Sequence, residues 1–199
     1  MRQQPPTGFN FTGAMRHLCH DICERIDIFQ HINMEEVVVT YAQARSNVSW
    51  GLQAKLTPLR FEGGALETSR DGQRWKAQRL FHGRREMLYM LTFYLPRFQE
   101  QTFVEKMVTV FHELYHISPE FNGDIRRLPG RCYVHSMSEK EYDRLMARYV
   151  REYLALSPPR ELFDFLRIKF STLERRFGQV VGLQVPIPKM LPVDESRSA

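Results

Sequence analysis

Residues 104–117 read VEKMVTVFHELYHI, and this stretch decides the fold. Val104, Met107, Val108, Phe111 and Tyr115 recur at steps of three and four, the spacing of one apolar face on an α-helix. Within it, His112, Glu113 and His116 spell H-E-x-x-H. Residues four apart on a helix share a face, so both imidazoles can reach one metal ion. Glu113 directly follows the first histidine and is placed to act on a water bound to that metal. With 7 His and 16 Glu in 199 residues, composition alone gives this pattern about 0.02 times per chain. The trio is therefore read as the core of a zinc hydrolase site.

The helix is expected over residues 99–117, stopped by Pro119. Upstream, three segments carry strand character: 37–42 (VVVTYA), 56–62, and 87–95 (MLYMLTFYL). Residues 69–85 are polar and basic with a turn signal at Asp71-Gly72, which predicts a hairpin tip or a long loop. A first helix is expected over 13–32, where Met15, Leu18, Ile22, Ile26 and Phe29 form a stripe and Asn33 ends it. Downstream, Asn122-Gly123 is a turn, and Ser138 with Glu141 forms a capping box that opens a helix to about residue 156. Tyr142, Leu145, Met146, Tyr149, Val150 and Tyr153 face inward on it. Pro158-Pro159 breaks it, and residues 161–177 carry one more helical stripe.

The order is helix, three strands, metal helix, then further helices. This is an α+β layout with a small, mostly antiparallel sheet of three strands or more, rather than an alternating βαβ fold. A flexible N-terminus (1–12), one domain (13–189) and a polar tail (190–199) are expected.

Two imidazoles need a third protein ligand to make a catalytic zinc site. His135 is the candidate, because it is the one histidine after His116 and sits ahead of a helix entrance. Glu120, Asp124, Glu139 and Asp143 are the carboxylate alternatives. Glu113 is the candidate base, passing a proton from water to the leaving amine. Tyr142 and Arg126, with Tyr133 and Arg127 behind them, are within sequence reach to stabilise a developing oxyanion. The expected substrate is a peptide or protein.

The net charge is +5, with 22 Arg against 6 Lys. Arg70, Arg74, Lys76, Arg79, Arg84 and Arg85, interleaved with Trp75 and Phe81, can make weak contact with a nucleic-acid backbone. A solvated charged loop is the plainer reading. Three cysteines, Cys19, Cys23 and Cys132, argue against a disulfide-built secreted domain and for a reducing, cytoplasmic setting. No leader-like apolar segment and no run of 18 apolar residues is seen, so no membrane association is expected. His17, Cys19, His20 and Cys23 make a second metal-like cluster, but the cysteines adjoin the apolar stripe and read as core. Cys132 reads as an inert buried thiol.

The segment HELYHISPEFNGDIRR (residues 112–127) resembles the phage-type metallopeptidase family, small zincin-like proteins of phages and bacteria. The features that carry the resemblance are the H-E-x-x-H, the Ile-Ser-Pro after it, Phe121 and Gly123, and Arg126. The resemblance covers roughly residues 104–143. It implies a minimal zincin fold, a Zn2+ cofactor and His135 in the place of the third ligand. The competing expectation is a metal-stabilised module that binds protein or nucleic acid without turnover.

Overall fold

The computed structural model describes residues 8–44, 51–127 and 139–193. A short strand β1 (Phe9–Asn10) leads into helix α1 (Phe11–Arg25). The Asn10 side chain accepts the Gly13 N–H at 3.0 Å and caps that helix. Met15, Leu18, Cys19 and Ile22 are fully buried on its inner face. The helix expected to reach residue 32 ends seven residues earlier, at extended Ile26, and is followed by a 3-10 turn (Asp27–Phe29). That turn keeps Ile26, Phe29 and Ile32 in the core. Asn33 caps a second 3-10 turn (Met34–Glu36) rather than simply ending a helix.

Strand β2 (Val37–Gln43) and strand β3 (Ala54–Pro58) come next. Residues 67–87 then form four short strands: β4 (Glu67–Arg70), β5 (Gln73–Ala77), β6 (Leu80–His82) and β7 (Arg85–Met87). The β4–β5 and β6–β7 pairs are antiparallel, so the hairpin tip or long loop expected over residues 69–85 is a pair of hairpins. The turn predicted at Asp71-Gly72 joins the first pair; both residues have positive φ. Strand β8 (Tyr89–Leu95) sits at the centre of the main sheet, in the order β2-β8-β3. It runs parallel to β2 (Val37 opposite Tyr89) and antiparallel to β3 (Leu56 opposite Leu91). The sheet is mixed rather than mostly antiparallel. Its centre is apolar on both faces, and such strands read as continuous hydrophobic runs with no alternation to reveal their direction.

Helix α2 (Arg97–Glu100) and helix α3 (Phe103–Tyr115) replace the single helix expected over 99–117. Thr102 breaks the run by capping α3. Its hydroxyl accepts the Glu105 N–H, and Glu105 accepts the Thr102 N–H at 2.7 Å. The inner face of α3 differs from the apolar stripe read in the sequence. Val104 is 57% exposed, whereas Lys106 is buried. The Lys106 ammonium donates to the carbonyls of Leu166 (2.9 Å) and Ile168 (3.1 Å), and burial lowers its pKa to about 8. A Lys106→Ala substitution orphans both carbonyls. It is expected to cost about 2–4 kcal/mol in denaturant unfolding, with the far-ultraviolet spectrum unchanged.

Helix α4 (Glu139–Ala155) packs on α3 through Tyr142, Met146, Val150 and Tyr153. The capping residue expected at Ser138 lies outside the described residues. The single stripe expected over 161–177 is two 3-10 turns (Arg160–Leu162 and Asp164–Arg167) and helix α5 (Phe170–Phe177). Beyond it, β9 (Val180–Val181) pairs in parallel with β1. Strand β10 (Met190–Pro192) pairs with β5. Phe9–Asn10 and residues 190–192 are therefore part of the body, although both fall in segments expected to be a flexible terminus and a tail. The architecture is α+β. Among the described residues no helix is long and apolar enough to cross a membrane.

Candidate metal centre

Helix α3 lies across the β3 edge of the main sheet and carries the H-E-x-x-H at its C-terminal end, with His116 as the C-cap. The His112 and His116 rings stand with centroids 4.6 Å apart and planes at 71°. Two imidazoles on one tetrahedral zinc, each with nitrogen about 2 Å from it, have ring centres about 5 Å apart. The observed pair fits a shared cation.

Tyr142 of α4 closes one side, its ring 4.7 Å from His112 and 6.2 Å from His116. Burial, then Tyr115 and Glu113, raise its phenol well above the usual tyrosine range, so it is a hydrogen-bond donor at neutral pH. Arg126 comes back under the helix end. Its N–H donates to His116 O (2.7 Å), and its Nε donates to Tyr115 O (2.7 Å). Its guanidinium lies 4.3 Å from the Tyr115 ring centre. Nη2 is buried and has no hydrogen-bond partner among the described residues.

Glu113 is 9% exposed. Its Oε2 accepts the main-chain N–H of Leu56 at 2.6 Å. Burial raises its carboxyl to about 7 against the opposing pull of that N–H and of Lys55. The Leu56 N–H points away from β8, because the β3–β8 ladder uses Gln53, Lys55, Thr57 and Leu59 instead. The glutamate therefore fastens α3 to the edge strand β3 of the sheet. This partner could not be read from sequence, since a main-chain donor leaves no residue-type signal.

The loop after the helix is fixed against β8. Tyr89 donates its hydroxyl to Asp124 O (2.8 Å) and accepts the Gly123 N–H (3.0 Å). Ile117 bridges Ile125. Gly123 has φ +88°, and a Cβ there would meet Arg60 Cγ at 2.4 Å and Cβ at 2.9 Å. Gly123→Ala is expected to cost about 2–3 kcal/mol by thermal unfolding and to loosen the loop that carries Arg126 back to the helix.

Among the described residues no third His, Cys, Asp or Glu joins the two histidines in a group able to hold a metal. Two of the alternative ligands are engaged elsewhere. The Asp124 carboxylate accepts from Gly63 N, Ile125 N and Arg127, and Glu120 is held by Ser118. Asp143 is exposed on α4. His135, with Cys132 and Tyr133, lies outside the described residues, as does the side chain of Glu139. His31 is a residue the sequence reading passed over. Burial, then Arg126, lower its pKa, and its Nε2 is buried with no hydrogen-bond partner among the described residues.

The other clusters resolve plainly. Cys19 and Cys23 are free, buried thiols of the core. Several hairpin arginines are paired, Arg74 with Glu67 and Arg79 with Glu86 within the hairpins and Arg85 with Glu35 of the 3-10 turn before β2, while Arg60 also meets Glu86. No protein family, no curated protein and no solved structure matches this chain.

Proposed function

We propose that this chain is a zinc-dependent, zincin-like metallopeptidase that cleaves peptide bonds with an activated water. The observation that carries the reading is the His112–His116 pair, 4.6 Å between ring centres, beside a buried Glu113 on the same helix. His112 and His116 would hold the cation, with His135 as the third ligand. A zinc ion held there supplies Lewis acidity, lowering the pKa of water toward about 7 and polarising a carbonyl.

Glu113 acts as the proton carrier. Its Oε2 is fixed by the Leu56 N–H, while Oε1 takes no hydrogen bond among the described residues. A carboxylate at that position can accept a proton from water and return it to the leaving amine. Tyr142 and Arg126 supply a neutral and a cationic donor for the developing oxyanion. The resemblance of residues 112–127 to the phage-type metallopeptidases, though no family model matches the chain, supports the metal site more than the substrate.

One observation favours a second reading, a module whose metal is structural. The Leu56 bond makes Glu113 a fastener between helix and sheet, a role that needs no turnover. Metal analysis and a protease assay on labelled casein decide between them. The peptidase reading expects about one zinc per chain and zinc-dependent release of peptides. Bound zinc with no release across several unfolded substrates favours the module.

A further inference from the structure

The second edge of the main sheet, β2, borders a cavity of ≈ 970 Å³ on the side away from β3 and α3. In a parallel ladder alternate residues turn both main-chain groups to the same side. The Ala44 N–H and the Glu36 carbonyl point to β8. The Tyr41 N–H points the other way, to Leu183 O at 3.0 Å. Val37 and Val39 share the parity of Tyr41, so their N–H and C=O groups face the cavity. Among the described residues no hydrogen bond engages them, although Val37 and Val39 are only 2% and 4% exposed. Buried main-chain groups without partners are rare, and a β edge that borders a cavity offers them to another extended chain.

The C-terminal segment begins this pairing and abandons it. Leu183 takes one rung and Val185 packs beside Val38, but Pro186 and Pro188 cannot donate, and the chain leaves to pair β10 with β5. The walls combine apolar and basic character. Val38, Met87 and Phe81 give the apolar part. Arg16 and Arg85 share the single carboxylate Glu35, and Arg84 has no ion pair among the described residues. Three arginines against one glutamate leave the rim cationic.

We propose that this groove binds an extended acidic peptide segment of a partner protein as an added strand on β2. Its main chain pairs with Val37 and Val39, alternate apolar side chains enter the groove, and the acidic side chains between them meet Arg84 and the Arg16–Arg85 pair. Residues 1–7, MRQQPPT, are a poor occupant, since they carry Arg2 and two prolines. The inference is independent of the metal centre, which lies at the opposite sheet edge.

The test uses the full chain, labelled with nitrogen-15, and the probe peptide acetyl-Glu-Val-Glu-Val-Glu-Val-amide at low salt. The expected result is saturable binding that slows hydrogen exchange at the Val37 and Val39 amides. Arg84→Glu, on an exposed turn, should weaken binding roughly tenfold with unchanged thermal unfolding. A peptide N-methylated at every residue presents no N–H along either edge and should not bind, and the Lys-Val counterpart should not bind. The proposal is overturned if these amides are already protected in the free protein, or if the Lys-Val or the fully N-methylated peptide binds equally well. Absence of binding overturns it too, as does a short DNA duplex displacing the peptide from the same amides, which would assign the groove to nucleic acid.

Discussion

Glu113→Gln is expected to retain zinc, to lose peptide hydrolysis by roughly a thousandfold, and to make the metal-free protein more stable above pH 7. The first two effects follow from its role. The amide keeps the shape and still accepts the Leu56 N–H, but it takes no proton from water. The third follows from burial. In the metal-free fold the carboxyl sits near 7, against an ordinary value of 4.5. The folded state then binds the extra proton between those values, so stability falls as pH rises from 4.5 through 7. Above pH 7 the full cost, roughly 3 kcal/mol, is present. Glutamine removes that slope, so chelator-treated variant and parent should converge near pH 4.5 and separate by roughly 2–3 kcal/mol at pH 8. Urea unfolding across pH measures it. Hydrolysis surviving in the variant would remove Glu113 from the mechanism.

The second large effect is metal removal. A site holding zinc about a thousandfold below its working concentration adds about 4 kcal/mol to the folded state. For a chain of this size that corresponds to roughly 10 °C in Tm. Chelation should therefore lower Tm by about that amount, and zinc should restore it. His112→Ala should start low and show no response to either treatment. A chelator-insensitive Tm in the parent protein would contradict a folded-state metal site.

The α+β class, the strands over residues 37–42 and 87–95, and the helix bearing His112 and His116 were legible because apolar spacing is set by the chain itself. What escaped was decided by tertiary partners. Lys106 reads as a solvated charge, yet it is buried because two carbonyls beyond residue 165 need a donor. Thr102 reads as helix interior, yet with Glu105 it starts a new helix. The parallel direction of β2 was hidden, since a strand buried on both faces has no alternation. Residues 69–85 read as a hairpin tip or a long loop and not as two hairpins, because acidic partners such as Glu35 lie far away in the sequence. Tyr142 and Arg126 were named from sequence distance alone; Tyr142 stands beside the imidazoles, and the Arg126 guanidinium lies over the Tyr115 ring. The anchoring of Glu113 by Leu56 had no sequence signal.

The most direct test is an anomalous-difference map at the zinc absorption edge from crystals of the zinc-loaded protein. The account predicts one peak between the His112 and His116 rings, about 2.0–2.1 Å from three imidazole nitrogens, the third belonging to His135, with one position left to solvent. An empty map there, or imidazoles too far apart to share an ion, would contradict it.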